Sequence, residues 1–178
     1  MTADDSFSAS DVPDDADLLG LVAFVFACFG AGTPRYDDFA PDSGGRPTEI
    51  ATGSFTSALA KRLLGHPAGA ALAVVGHVDR AWGYSFLWEG QTAYTAVFED
   101  ALRRLLDGHP IGSAMEGFSA RHAELAVDLE ALLSELGDRR VDRSQLAGLW
   151  TAKNDARNVV VLGDPAVRIT SPTKKSRR

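Results

Sequence analysis

Three nearly unbroken apolar runs punctuate the chain: LLGLVAFVFAC (Leu18 to Cys28), AALAVVGHV (Ala70 to Val78) and ARNVVVLGDP (Ala156 to Pro165). Short apolar runs closed by turn residues predict buried strands covered on both faces. Between the first two, SFTSALAKRLLG places Ala58, Leu59, Leu63 and Leu64 at helical spacing, with Gly65 as a stop. Strand, helix, strand makes a βαβ unit with a right-handed crossover. Beyond the second run, Thr92 is a candidate cap for a helix running through Leu106 and ending at Gly108. Pro110 then opens what reads as the longest helix. Its seam, Ile111, Met115, Phe118, His122, Leu125, Leu129, Leu132 and Leu136, steps by four and three and so lies on one face. A short helix from Ser144 to Trp150 precedes the third run. Alternating strands and helices predict an α/β domain with a mainly parallel sheet.

Three strands make a thin sheet, and strands apolar on both faces are hazardous at an edge. The pattern therefore predicts either a sheet completed elsewhere or a piece of a larger unit. A long Gly-, Pro- and Asp-rich loop from Phe29 to about Gly53 is of a length that is often functional. A second loop, Asp79 to Gln91, carries Trp82, Tyr84, Phe86 and Trp88.

The ends differ from the middle. Residues 1–17 hold six aspartates and one aromatic, Phe7, which predicts a flexible acidic leader. Residues 171–178, SPTKKSRR, read as a basic disordered tail, leaving 18–170 as the folded unit. The 178 residues suit one domain with its own core. A net charge of -6 argues against general nucleic-acid binding. No run is long enough for a membrane span, and the acidic start lacks the basic region of a secretory signal. A single cysteine makes a reducing cytoplasm the expected compartment. With four histidines at no ligand spacing, neither a metal nor a cofactor is expected.

Cys28 ends the first run, directly before Phe29-Gly30-Ala31-Gly32. Ligand crevices in parallel sheets open at the carboxyl ends of strands, and glycines there expose N–H groups that could hold an oxyanion. The plainer reading of such a cysteine is a small buried hydrophobe. His77 ends the second run in the same way, either as a thiol partner or as a loop histidine packed on Trp82. His122 on the helix seam reads as a core histidine. His66 and His109, each in a Gly-His-Pro tripeptide, read as helix-end punctuation. No phosphate-loop spacing is present around Gly30, Gly44 or Gly163.

Taken in order, FVFACFGAGTPRYDDF, ALAVVGHVDRAWGYSF, FEDALRRLLDGHPIGSAME and NVVVLGDPAVRI resemble the nucleophile strand, the pocket-lining strand and loop, the following helix pair and the closing strand of CHAT-type and gingipain-like peptidases of the caspase-like clan. The resemblance covers about residues 18–170. It implies a caspase-like three-layer sandwich lacking its N-terminal strands, and a cysteine endopeptidase acting on polypeptides. Cys28 would be the nucleophile and Gly30 part of the oxyanion loop, with His77, Asp79 and Trp82 around the substrate pocket. Asp37, Asp38 and Asp79 would supply acidic charge for a basic substrate side chain. The family's histidine lies upstream of the cysteine, yet residues 1–27 contain none. Three explanations follow: an N-terminal half-domain or partner supplies the histidine, the chain is a non-catalytic interaction module, or His77 has taken over. An exposed sheet edge is expected near Leu18 to Cys28, and with it self-association or a partner.

Overall fold

The computed structural model describes residues 7–41, 43–83, 95–135 and 142–169. Among them the chain is a mixed α/β protein. Its central sheet has three strands, β1 (Val22–Val25), β6 (Ala73–His77) and β7 (Val159–Gly163), in the order β1-β6-β7. Two small antiparallel pairs flank the long loop: β2 (Gly32–Thr33) with β5 (Phe55–Thr56), and β3 (Tyr36–Asp37) with β4 (Thr48–Glu49).

The three apolar runs do form the sheet, each shorter than its run. β1 pairs in parallel with β6, Val22 opposite Ala73 through Val25 opposite Gly76. The expected mainly parallel sheet is corrected at the third strand, which runs antiparallel, with His77 opposite Val159 and Ala73 opposite Gly163. The reason lies in the helix before it. Instead of Ser144 to Trp150, α5 spans Arg143–Arg157 and absorbs residues read as strand. It delivers the chain at Asn158, whose carbonyl accepts the Val78 N–H at 3.0 Å. The chain thus enters β7 beside the carboxyl end of β6 and must run back along it.

Helices cover both faces. On one, α1 (Ala58–Leu64) places Ala60 and Leu63 against Val74, with Ala23, Val25 and Leu162 packed around them. Ser57 caps α1 by accepting the Ala60 N–H, and Gly65 ends it. On the other face, α2 (Ala96–Leu106), α3 (Ile111–Ala114) and the start of α4 (Glu116–Ser134) bury Ala101, Leu105, Ile111, Met115 and Phe118 against Ala73 and Val75. The cap expected at Thr92 lies outside the described residues; α2 follows Thr95.

The helix expected to run unbroken from Pro110 is two helices, broken at Met115. Its first turn is pinned elsewhere, because Ile111 and Gly112 donate their N–H groups to the carbonyls of Val167 and Pro165. The apolar seam accordingly serves two neighbours. Ile111, Met115 and Phe118 face the sheet, while Leu125 and Leu129 pack on Leu149, Ala152 and Ala156 of α5. Leu136 lies outside the described residues.

The acidic leader is also corrected over its described part. Val12 is 5% exposed and belongs to the core beneath α1. Arg62 donates to the Val12 carbonyl (2.7 Å) and to Asp14 (2.5 Å), and the His66 ring lies 2.8 Å from the Pro13 carbonyl. Composition missed this because one apolar residue and a proline suffice when a helix supplies the partners. The basic tail, 171–178, lies outside the described residues.

Candidate functional site

Cys28 sits just past the end of β1 and is exposed. The turn after it is tightly determined. Phe29 has φ 60, a left-handed conformation that costs a non-glycine residue energy and survives only where surroundings impose it. Here they do. Phe29 donates its N–H to the Asp79 carbonyl and Ala31 to the His77 carbonyl, both at 2.8 Å. The loop is thereby stitched onto the end of β6. A Cβ on Gly30 would lie 2.7 Å from Val25 Cγ1, and one on Gly76 would lie 3.1 Å from the Val25 carbonyl oxygen. Only glycines allow this approach of loop to sheet.

The thiol itself contacts the loop after β6, with Sγ 3.7 Å from the Ala81 carbonyl oxygen. Gly30 does not offer a free donor, since its N–H goes to Ala27 at 3.1 Å. Its role is close approach rather than oxyanion binding. The amide of Cys28 donates to no group among the described residues.

His77 ends β6 and Cys28 lies just beyond the end of its neighbour β1, but their side chains make different partners. His77 is 2% exposed. Its Nε2 lies 3.4 Å from Asp155 Oδ1, an approach without hydrogen-bond alignment, and its ring meets Phe26 edge-on at 5.1 Å. It also borders an apolar cavity of about 250 Å³ walled by Phe24, Phe26, Val75, Phe98 and Phe118. Asp79, expected at the substrate pocket, is 1% exposed and accepts the Arg80 N–H. Burial, together with the charges of Asp37 and Asp38, pushes its carboxyl above the usual carboxylate range. Trp82 remains partly exposed and packs on Phe39, which packs in turn on Trp150.

The acidic pocket expected from Asp37, Asp38 and Asp79 is largely neutralised from within. Asp37, 2% exposed, accepts both Nε (3.0 Å) and Nη2 (2.6 Å) of Arg80, which holds its carboxyl below the usual range. Asp38 pairs with Arg157 of α5.

Sequence reasoning missed Asp155. It is fully buried on α5, accepts the Trp82 N–H at 2.9 Å and faces His77, so one carboxylate ties α5 to the end of β6 and to the loop that holds the thiol. Asn154 and Asn158 are buried beside it. A signal was present: KNDARN is a polar run directly against an apolar strand, and such runs are expensive to bury without partners. Arg80 was missed for a simpler reason. It lies in the loop after a strand, and its contact with Asp37 spans 43 residues.

No group of histidine, cysteine and carboxylate side chains that could hold a metal occurs among the described residues. No helix among them is long and apolar enough to cross a membrane. Comparison with protein-family models, curated proteins and solved structures finds no match to this chain.

Proposed function

We propose that the chain is a cysteine-endopeptidase-like domain of caspase-like architecture, with Cys28 as nucleophile. One observation carries this reading: an exposed thiol at the carboxyl end of a sheet strand, followed at once by a left-handed phenylalanine, with its own amide unengaged among the described residues. In that geometry Sγ attacks the scissile carbonyl and the Cys28 N–H receives the developing oxyanion. The proton acceptor comes from a partner or from upstream sequence. His77 is not suited to the task, because its ring is enclosed and turned to Asp155 and Phe26. Upstream strands or a second chain would add to the edge of β1 that no strand among the described residues pairs with, where Phe24, and Phe26 just beyond the strand, are 38% and 47% exposed.

That same edge favours a second reading, a non-catalytic module that binds a polypeptide partner along β1. Hydrolysis of a fluorogenic peptide library by the wild-type chain and by Cys28→Ala, each purified with whatever co-purifies, separates the two. Turnover that disappears in the variant supports the peptidase. Equal background in both sinks it.

A further inference from the structure

A pocket lies away from the cysteine, where the pair of helices α4 and α5 meets the β7 edge of the sheet. The two helices pack through Leu125 and Leu129 against Leu149, Ala152 and Ala156. Toward the start of α4 and the end of α5 they enclose, with β7, a volume of about 300 Å³. That is enough for a small ligand. One wall is apolar, built from Phe118 of α4 and from Val159 and Val161, which share a face of β7. The other is polar, built from Ser119 and His122 of α4 and Arg157 of α5.

The polar wall is not satisfied from within. The imidazole of His122 makes no hydrogen bond among the described residues, and its Nε2 is enclosed. Enclosed polar atoms normally have a partner, because leaving one without costs free energy. Ser119, one turn earlier on α4, is exposed and presents a hydroxyl to the same pocket. Arg157 is held through Nη2 on Asp38 and remains 45% exposed. Glu116 also borders the pocket, is 68% exposed and lies 3.5 Å from Arg104. Lys153, one turn before Arg157 on α5, has no ion pair among the described residues. With Asp38 set against Arg157 and Glu116 against Arg104, Lys153 leaves this wall with an excess of positive charge.

We propose that this pocket binds a small molecule that places a carboxylate or phosphate against His122, Ser119 and Arg157 and an apolar body against Phe118, Val159 and Val161. The site is independent of the chemistry at Cys28. It lies at the opposite edge of the described sheet from β1, and its occupancy does not depend on the chain being a peptidase.

Benzoate, phenyl phosphate, inorganic phosphate and neutral benzamide are suitable probes, added to the whole chain and followed by NMR. The readouts are the ring signals of His122 and the methyl signals of Val159 and Val161. A single ring fits, since an apolar cavity of about half this volume accommodates benzene. Benzoate and phenyl phosphate should bind saturably, with dissociation constants of about 1 mM or tighter. Benzamide, without the charge, and inorganic phosphate, without the ring, should each bind about tenfold more weakly.

Benzoate stays ionised between pH 8 and 5.5, so its pH dependence reports the protein. In the free chain His122 is held below the usual histidine range, chiefly by burial and then by Lys153 and Arg157. A bound anion favours the imidazolium, so affinity should rise about three- to tenfold as pH falls through that window. The other polar groups about the ring, Glu116 and Ser119 on α4 and Lys153 and Arg157 on α5, do not titrate there.

His122→Gln should remove this pH dependence, and Arg157→Gln should weaken benzoate about three- to tenfold. Ser119→Phe fills the pocket from an exposed helix position and should abolish binding in a folded chain. No saturable shift, benzamide binding as tightly as benzoate, or benzoate binding that survives Ser119→Phe overturns the proposal. Inorganic phosphate binding as tightly as phenyl phosphate overturns it too, because the apolar wall would then take no part.

Discussion

Replacing Asp79 by Asn should stabilise the protein at neutral pH. The Asp79 side chain is enclosed at 1% exposure. One oxygen accepts the Arg80 N–H at 2.7 Å, while Oδ2 has no hydrogen-bond partner among the described residues. The nearest guanidinium, that of Arg80, is committed to Asp37, and Asp37 and Asp38 add like charge. Ionisation is therefore disfavoured in the folded state, and the carboxyl is raised above its unfolded value of about 3.9. For an acid whose folded pKa is raised, both states are protonated at low pH and nothing is lost there. As pH rises through the unfolded value toward the folded one, the unfolded chain ionises first and stability falls. Every tenfold difference in proton affinity between the folded and unfolded carboxyl costs about 1.4 kcal/mol once both are ionised.

Asn keeps the oxygen that Arg80 needs and removes the charge. Leaving a buried polar oxygen unpaired costs about 1–3 kcal/mol, and more when it is charged, and burying an amide N–H₂ in its place returns part of that. The net gain expected is about 1–2 kcal/mol at pH 7, shrinking toward zero near pH 3.5. Urea unfolding followed by tryptophan fluorescence at several pH values between 3.5 and 8 measures it. A difference independent of pH, or a variant less stable than wild type at pH 7, would refute the reasoning.

Asp37→Asn should behave in the opposite sense. Its carboxyl is held low, first by the hydrogen bond from Arg80, so its contribution is present above about pH 4 and is lost as pH falls through the folded value. Losing charge-assisted bonds should cost about 1.5–3 kcal/mol at pH 7, and acid unfolding curves should show that the variant lacks this loss at low pH. His122 is held below its usual value, chiefly by burial and then by Lys153 and Arg157. The unfolded chain therefore takes up a proton first as pH drops below about 6.5, and His122→Gln should flatten the stability curve from there downward, as read by thermal melts. Ile111 is fully buried between the sheet and α2, so Ile111→Ala should cost about 2–5 kcal/mol in denaturant titrations. Gly30→Ala should slow alkylation of Cys28 or unfold the turn, because its Cβ has no room beside Val25. Alkylation at the wild-type rate with unchanged stability would contradict that packing.

Much of the architecture is written in apolar periodicity. The runs around Val22, Ala73 and Val159 became the three sheet strands because strands buried on both faces leave few alternatives for nearly uninterrupted Val, Ala and Leu. Gly65 was legible as the end of α1 because a helix stop is a local signal that needs no distant partner. The position of Cys28 at a strand end, and of His77 at the end of its neighbour, was legible for the same reason.

Direction, partnership and charge were not. Periodicity reports which faces are buried and is silent on strand direction, so β7 turned out antiparallel once α5 delivered the chain beside Val78. The helix seam could not say that it served two neighbours, nor could acidic composition foresee Val12 beneath α1. Most decisive is the region around the cysteine. The aspartates read as free negative charge, and Cys28 and His77 read as candidate mates. Only the tertiary structure commits Asp37 to Arg80, Asp38 to Arg157 and His77 to Asp155, because those pairings span 43 to 119 residues and depend on where loops and α5 come to rest.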